Sequence, residues 1–251
     1  METFRVAHVP DSKRPQTERK SVMNQITTVN PATEEPIETY DLMTDDAVKN
    51  AVQACHNAFL QWQQKPAADR AKVIRAIGEE LRANKDEFAQ LMTREVGKLI
   101  GDSQQEVELC AAICDYTAEN GPGELADEER DIPGGTGVVS YEPIGVIYGI
   151  QPWNFPCYQA VRYAIANLMA GNGVLLKHAE NCTGSGLFLK RVFESAGLPK
   201  DLFTVLIIDH DQSDKVIEND LVRGVTLTGS DGAGRIVAAK AGENLKKTVL
   251  E

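Results

Sequence analysis

Basic residues are in deficit. Lys and Arg number 26 against 37 Asp and Glu, a formal net charge of −11. No cationic stripe exists to displace the counterions of a nucleic-acid backbone, and the acidic balance speaks for solubility rather than for any fold. Long apolar runs are also missing: none approaches the ~18 residues of a membrane span. The opening METFRVAHVPDSKRPQTERKSV is polar and of mixed charge, without the apolar core of a secretory signal. Residues 1–27 therefore read as a polar, flexible leader, and Met23 serves as a start as well as Met1 does. Cysteine is sparse and odd in number: Cys55, Cys110, Cys114, Cys157 and Cys182. Cys110 and Cys114 share a helix face but have no partners elsewhere for a zinc framework. Reduced thiols in a cytoplasmic protein without a bound metal are the expectation. The chain has neither an internal repeat nor a low-complexity tract.

What is present divides into two textures. Residues 45–119 carry helical periodicity, as in Val48, Ala51, Val52, Cys55, Phe59 and Trp62, with Asp45 and Asp46 where a helix N-terminus favours negative charge. Pro66 suits a first helical position, Asn84 with Glu87 resembles a capping box, Gly97 marks an end, and a fourth helix spans about Asp102 to Glu119. NGPGELADEERDIPGGTG reads as a connection. Beyond it, the runs 137–141 and 145–150 are β-branched, and short apolar strands then alternate with helices: strands at 173–177, 203–208, 224–228 and 247–250, helices at 156–170, 184–196, 213–218 and 234–241. That alternation predicts βαβ units and an α/β fold, with a parallel sheet covered on both faces.

In an open parallel sheet, ligands gather beyond the carboxyl ends of the strands, so the residues just after each strand matter most. Gly229 and Gly234 flank a strand-to-helix turn whose amides and helix dipole can meet a diphosphate, with Ser230 adding a hydroxyl; taken alone, the pair reads first as a plain turn. Lys177 and Glu180 follow the adjacent strand and can serve a ribose diol, Glu180 repelling a 2′-phosphate; two solvated charges are the alternative. Asn154 stands between aromatics and prolines that restrict its loop, so its amide can be a fixed oxyanion donor, or simply a turn asparagine.

The ordered set PWNFP, AGNGVLLKHAEN, GLP, TGSDGAG and KKTVLE, with NPAT at Asn30–Thr33, closely resembles the aldehyde dehydrogenase superfamily from about Thr28 to the last residue. KHA and KKTVLE are most similar to its bacterial succinate-semialdehyde dehydrogenase group. The resemblance implies a Rossmann-like parallel sheet with flanking helices, preceded by an N-terminal helical segment. Residues 28–135 would be the helical part of the cofactor domain, 136–143 an assembly-arm strand and 144–251 the NAD-binding core.

It also implies roles. Asn154 would donate to the oxyanion, and Glu251 would be the general base, its pKa raised by partial burial. Trp153, Asn154, Lys177, His178, Ala179, Glu180, Gly229, Ser230 and Gly234 would contact the dinucleotide, with NAD expected and NADP possible. Gln159, Phe155 and Arg162 would face the aldehyde. The guanidinium of Arg162 offers a bidentate partner to a distal carboxylate, as succinate semialdehyde requires; a structural ion pair is the other reading. The implied partners are this small aldehyde and, for a full-length parent, further copies of the chain, with neither nucleic acid nor membrane. The family's nucleophilic cysteine lies beyond the position of Glu251, and none of the five cysteines occupies its motif; Cys157, at a helix start, is the only substitute. The catalytic domain is then absent, and the chain alone is expected not to oxidise aldehydes. A non-catalytic dinucleotide-binding module and a truncated, inactive fragment are the alternatives.

Overall fold

Alternation of buried and exposed side chains begins earlier than the leader boundary at residue 27 allows. The computed structural model describes residues 25–251. It opens on an antiparallel hairpin of β1 (Gln25–Val29) and β2 (Pro36–Asp41), in which Ile26 and Thr28 are buried. Residues 25–27 are thus strand rather than leader, and the hairpin is an addition to the expected helical segment. The remainder of the leader, with Met23, lies outside the described residues.

Four helices follow: α1 (Asp45–Trp62), α2 (Ala67–Ala83), α3 (Lys85–Val96) and α4 (Ile100–Glu124). Thr44 caps α1 by accepting from the Ala47 amide at 3.2 Å. Pro66 is the cap of α2, one residue before the expected place. The capping box at Asn84 does not form, because its amide donates back to the Glu80 carbonyl at 2.8 Å. Gly97 closes α3 in the left-handed region, at φ +70°. The segment read as a connection is largely ordered. Packing of Cys110, Cys114 and Ala118 carries α4 on through Pro122, and β3 (Glu128–Ile132) and β4 (Gly135–Val139) then form a second hairpin. The strand expected at 136–143 is β4, ending at Val139; its acidic partner β3 gave no apolar signal.

The remaining elements alternate as β5 (Val146–Gln151), α5 (Pro156–Met169), β6 (Gly173–His178), α6 (Thr183–Ser195), β7 (Phe203–Val205), α7 (His210–Glu218), β8 (Val222–Leu227), α8 (Asp231–Glu243) and β9 (Lys247–Leu250). The five strands pair in the order β7-β6-β5-β8-β9, all parallel. The order reverses between β5 and β8, which opens a crevice at their carboxyl ends. Along β6, Val174 and Leu176 join the core shared with α2 to α6, while Leu175 joins the one shared with α1, α7 and α8. Cover on both faces therefore holds at the centre of the sheet but fails at β9, whose four residues are all exposed.

One glycine sets the spacing of α5 on the sheet. A Cβ at Gly149 would lie 2.2 Å from the Tyr163 ring, so only glycine lets that phenol reach the Leu175 carbonyl, to which it donates at 3.1 Å. No helix among the described residues is long and apolar enough to cross a membrane.

Candidate functional site at the strand ends

The loop between β5 and α5 carries Trp153, Asn154 and Phe155, all exposed at the crevice. Its prolines were expected to fix it; the structure shows stronger anchors. The buried carboxylate of Glu106, from α4, accepts from the Cys157 and Tyr158 amides at 2.8 and 2.9 Å, which caps α5. Lys98 pairs with the other oxygen of Glu106 at 2.5 Å and lies 3.6 Å above the Phe155 ring. His178 holds the third point. Its Nε2 meets the Pro156 carbonyl at 2.9 Å and so carries the proton, which leaves Nδ1 to accept from the Ala179 amide and the Cys182 thiol, each at 3.0 Å. Burial drives its pKa down to about 4, so the ring is neutral at pH 7.

These bonds engage polar groups of two residues expected to contact the dinucleotide. The His178 imidazole is spent on the fold, and the Ala179 amide serves both His178 and the Gln151 carbonyl. Lys177 is different. Its side chain is buried, and its ammonium meets no hydrogen-bond or ion-pair partner among the described residues. Burial lowers its pKa, opposed by the nearby charges of Glu180 and Asp209. Glu180 opens a short 3-10 turn (Glu180–Cys182) immediately beyond and is half-buried.

The Gly229–Gly234 turn also departs from expectation. The Gly229 amide donates to the Glu251 carbonyl at 3.0 Å, continuing the β8–β9 ladder. Ser230 caps α8 through Ala233, and the Gly234 amide bonds to the Ser230 carbonyl. The first-turn amides of Asp231 and Gly232 are what the turn offers an anion.

Arg162, Gln159, Thr228 and Glu251 meet on the α5 side of the sheet. Nη2 of Arg162 pairs with the Glu251 carboxylate and reaches Gln159 Oε1 at 3.4 Å and Thr228 Oγ1 at 3.3 Å. The Glu251 amide bonds to the Leu227 carbonyl, which seats this residue at the end of β8. The partial burial expected to raise its pKa is not found: Glu251 is exposed, and the Arg162 guanidinium holds its pKa below the usual carboxylate range. Cys157 is no substitute nucleophile. It is fully buried, and desolvation with neighbouring Cys110 pushes its pKa well up.

Lys98 and Glu106 were not found in the sequence, and Gln151 and Thr228 were read there only as polar groups at strand ends. Gln151 is 3% exposed, and its Oε1 has no partner among the described residues. A second buried carboxylate, Glu95 of α3, also went unseen: it accepts from the Gly184 and Ser185 amides at 2.8 and 2.9 Å and so caps α6. Partners 51 and 89 residues away leave no local pattern to read. Among the described residues no cluster of His, Cys, Asp and Glu is arranged to hold a metal.

Residues 17–251 match the profile of the Aldehyde dehydrogenase family. A succinate-semialdehyde dehydrogenase (NADP+) of Deinococcus radiodurans is 41% identical over 224 residues, 89% of this chain and 47% of that protein. A succinate semialdehyde dehydrogenase (NAD(P)+) of Escherichia coli is 40% identical, over 89% of this chain and 48% of its own length. The structure of succinic semialdehyde dehydrogenase from Streptococcus pyogenes in complex with NADP+ superposes with a TM-score of 0.87 at 35% identity, covering 90% of this chain and 50% of that one. The chain spans about half the length of the curated relatives it matches.

Proposed function

The chain belongs to the aldehyde dehydrogenase family and corresponds to its N-terminal half, and from that premise we propose that it supplies the dinucleotide site, oxyanion donor and general base of an NAD(P)-dependent oxidation of succinate semialdehyde to succinate. The observation that carries this reading is the pairing of Arg162, on the helix that leaves the Asn154 loop, with Glu251 after β9, on the sheet whose strand order reverses between β5 and β8.

The donor set suits a nicotinamide dinucleotide. The Lys177 ammonium, which has no partner among the described residues, and the Glu180 carboxylate would take the ribose hydroxyls, and the first turn of α8 a phosphate oxygen. Trp153, exposed at the loop, would flank the cofactor. When bound, the nicotinamide supplies the hydride acceptor. Asn154 would donate its side-chain amide to the developing oxyanion, and Glu251 would take a proton from water. Arg162 would fix the distal carboxylate through parallel N–H bonds, with Gln159 and Phe155 lining the approach. The apolar hairpin residues Ile132, Val138, Val139 and Tyr141 stand exposed, which supports assembly of several copies in the full-length protein.

Glu180 and Asp209 near the ribose position favour NAD, whereas the relatives above are named for NADP or for both. We expect calorimetric titration of the 251-residue chain to show weak binding with NAD ahead of NADP, and Glu180→Gln to erase the difference. Equal affinities in the unaltered chain would remove Glu180 from this role. In a protein joining these residues to the rest of the family's length, Arg162→Leu should lower kcat/KM for succinate semialdehyde relative to butyraldehyde about a hundredfold, from the loss of ~3 kcal/mol. An unchanged ratio would reject the assignment. The 251-residue chain supplied with NAD and succinate semialdehyde should form no NADH, because the cysteines near the site, Cys157 and Cys182, are buried and protonated.

A further inference from the structure

The guanidinium that the proposed function gives to the substrate already has an occupant. Glu251 pairs with Nη2 of Arg162, and the same nitrogen faces Gln159 Oε1 and Thr228 Oγ1. A guanidinium presents parallel donors to a carboxylate in two ways, through both terminal nitrogens or through Nε with Nη2. Each arrangement draws on one of the two N–H bonds of Nη2, which Glu251, Gln159 and Thr228 already share. An incoming carboxylate therefore gains two bonds only by displacing an acceptor, and of these Glu251 is the one whose charge it repels.

Among the described residues, the surroundings offer Glu251 no second cation at the same point. Tyr158 on α5 has its ring centre 5.5 Å from the guanidinium carbon. Thr228 follows β8, and Ile147 of β5 contributes only alkyl surface to the groove of about 370 Å³ that runs from Arg162 and Glu251 along the sheet. Lys247 of β9 lines that groove too, but it stands four residues from Glu251 along an extended strand, ~13 Å of backbone away. Arg162 and Glu251 are both partly exposed, so the pair is weak enough to exchange.

We propose that the distal carboxylate of the substrate and the Glu251 side chain compete for one guanidinium, so that capture of the substrate by Arg162 releases Glu251 as a free base. The exchange makes and breaks no covalent bond: one carboxylate replaces another on Nη2. It rests on the roles given above to Arg162 and Glu251, and it adds a coupling between them. An aldehyde without the distal carboxylate would leave Glu251 bound, so selectivity would lie in freeing the base as well as in affinity. Released from Arg162, Glu251 regains the proton affinity of an ordinary exposed carboxylate, which a base that accepts from water needs.

The 251-residue chain tests this without turnover. Succinate is titrated while the side-chain 15N resonances of Arg162 are followed by NMR. Glu251→Gln should tighten binding about two- to sixfold, the range that removal of an exposed competing ion pair supports, and Arg162→Leu should abolish it. In a second arm the side-chain 13C resonance of Glu251 is followed against pH with and without saturating 1-butanesulfonate, an anion that stays ionised. The midpoint should rise when the sulfonate is bound. Binding that is lost with Arg162→Leu, unchanged with Glu251→Gln and silent at Glu251 would overturn the competition while leaving Arg162 as the carboxylate partner. Binding unaffected by Arg162→Leu, or absent in both the unaltered chain and Glu251→Gln, would overturn the Arg162 assignment and the competition with it.

Discussion

Acidification from pH 7 to 4.5 should weaken the fold at one identifiable residue. His178 has a pKa of about 4 in the folded protein because it is buried, against ~6.5 in an unfolded chain. The folded value is the lower one, so between them the unfolded chain binds more protons. His178 therefore contributes stability that is complete above ~6.5 and is lost as pH falls toward 4. The gap corresponds to ~3 kcal/mol when fully expressed, most of it gone by pH 4.5. Structurally, a proton on Nδ1 would face the Ala179 amide and the Cys182 thiol, which now donate to it. The assay is urea unfolding of the unaltered protein and His178→Gln at pH 7 and pH 4.5. Carboxylates that titrate in both proteins cancel in the difference. The unaltered protein should lose ~2–3 kcal/mol more than the variant over this interval. Equal losses would show that His178 is not buried as a neutral ring, and the account of the Pro156 anchor would fail with it.

Three further expectations concern the scaffold. Lys98→Met leaves the Glu106 carboxylate buried without its cation and should cost about 3–5 kcal/mol by urea unfolding, with much of the loss recovered when Glu106→Gln is added. A cost under ~1 kcal/mol would mean that solvent reaches Glu106. The same Lys98→Met change should alter the emission of Trp153, since the Phe155 ring loses its cation, while the buried Trp62 keeps its own environment; an unchanged spectrum would detach Lys98 from the loop. Gly149→Ala should prevent native packing of α5 or lower the melting temperature by at least ~6 °C, from an overpacking cost of ~2–3 kcal/mol or more. A melt within 2 °C of the unaltered protein, on the order of 1 kcal/mol or less, would show that Tyr163 can move aside.

The alternation of strand and helix after residue 144 was legible because each strand is short, apolar and bounded by its own turn, and sheet order follows from that pattern. Boundaries moved where caps decide them. α8 begins at Asp231 because Ser230 accepts from Ala233, three residues before the apolar rhythm is visible. The first hairpin was missed, and of the second only β4 was expected: β1 alternates over only five residues, and β3 is Glu, Arg and Asp up to its last residue, Ile132. Residues of the crevice were legible when a motif carried them, as with Asn154, Lys177 and Arg162. What each one touches was not. Neither the capture of Gly229 by Glu251 nor the inward turn of His178 has a local signature, because both depend on which strand lies alongside.

Glu95 and Glu106 have a consequence for the order in which the chain is made. Both are read out before the helices they cap: α5 and α6 emerge from synthesis 51 and 89 residues after their carboxylates. These two helices thus arrive to find an acceptor already made for a bare first turn, on helices whose local contacts favour early folding, whereas α7 and α8 carry their own caps in Asp209 and Ser230. A piece of chain beginning at Ile144 would carry every strand of the large sheet and still present the Cys157, Tyr158, Gly184 and Ser185 amides with no carboxylate to meet them. The seam between helical segment and sheet is visible along the sequence, but the hydrogen bonds cross it. For shuffling or dissection of this protein, the smallest portable unit begins upstream of Glu95.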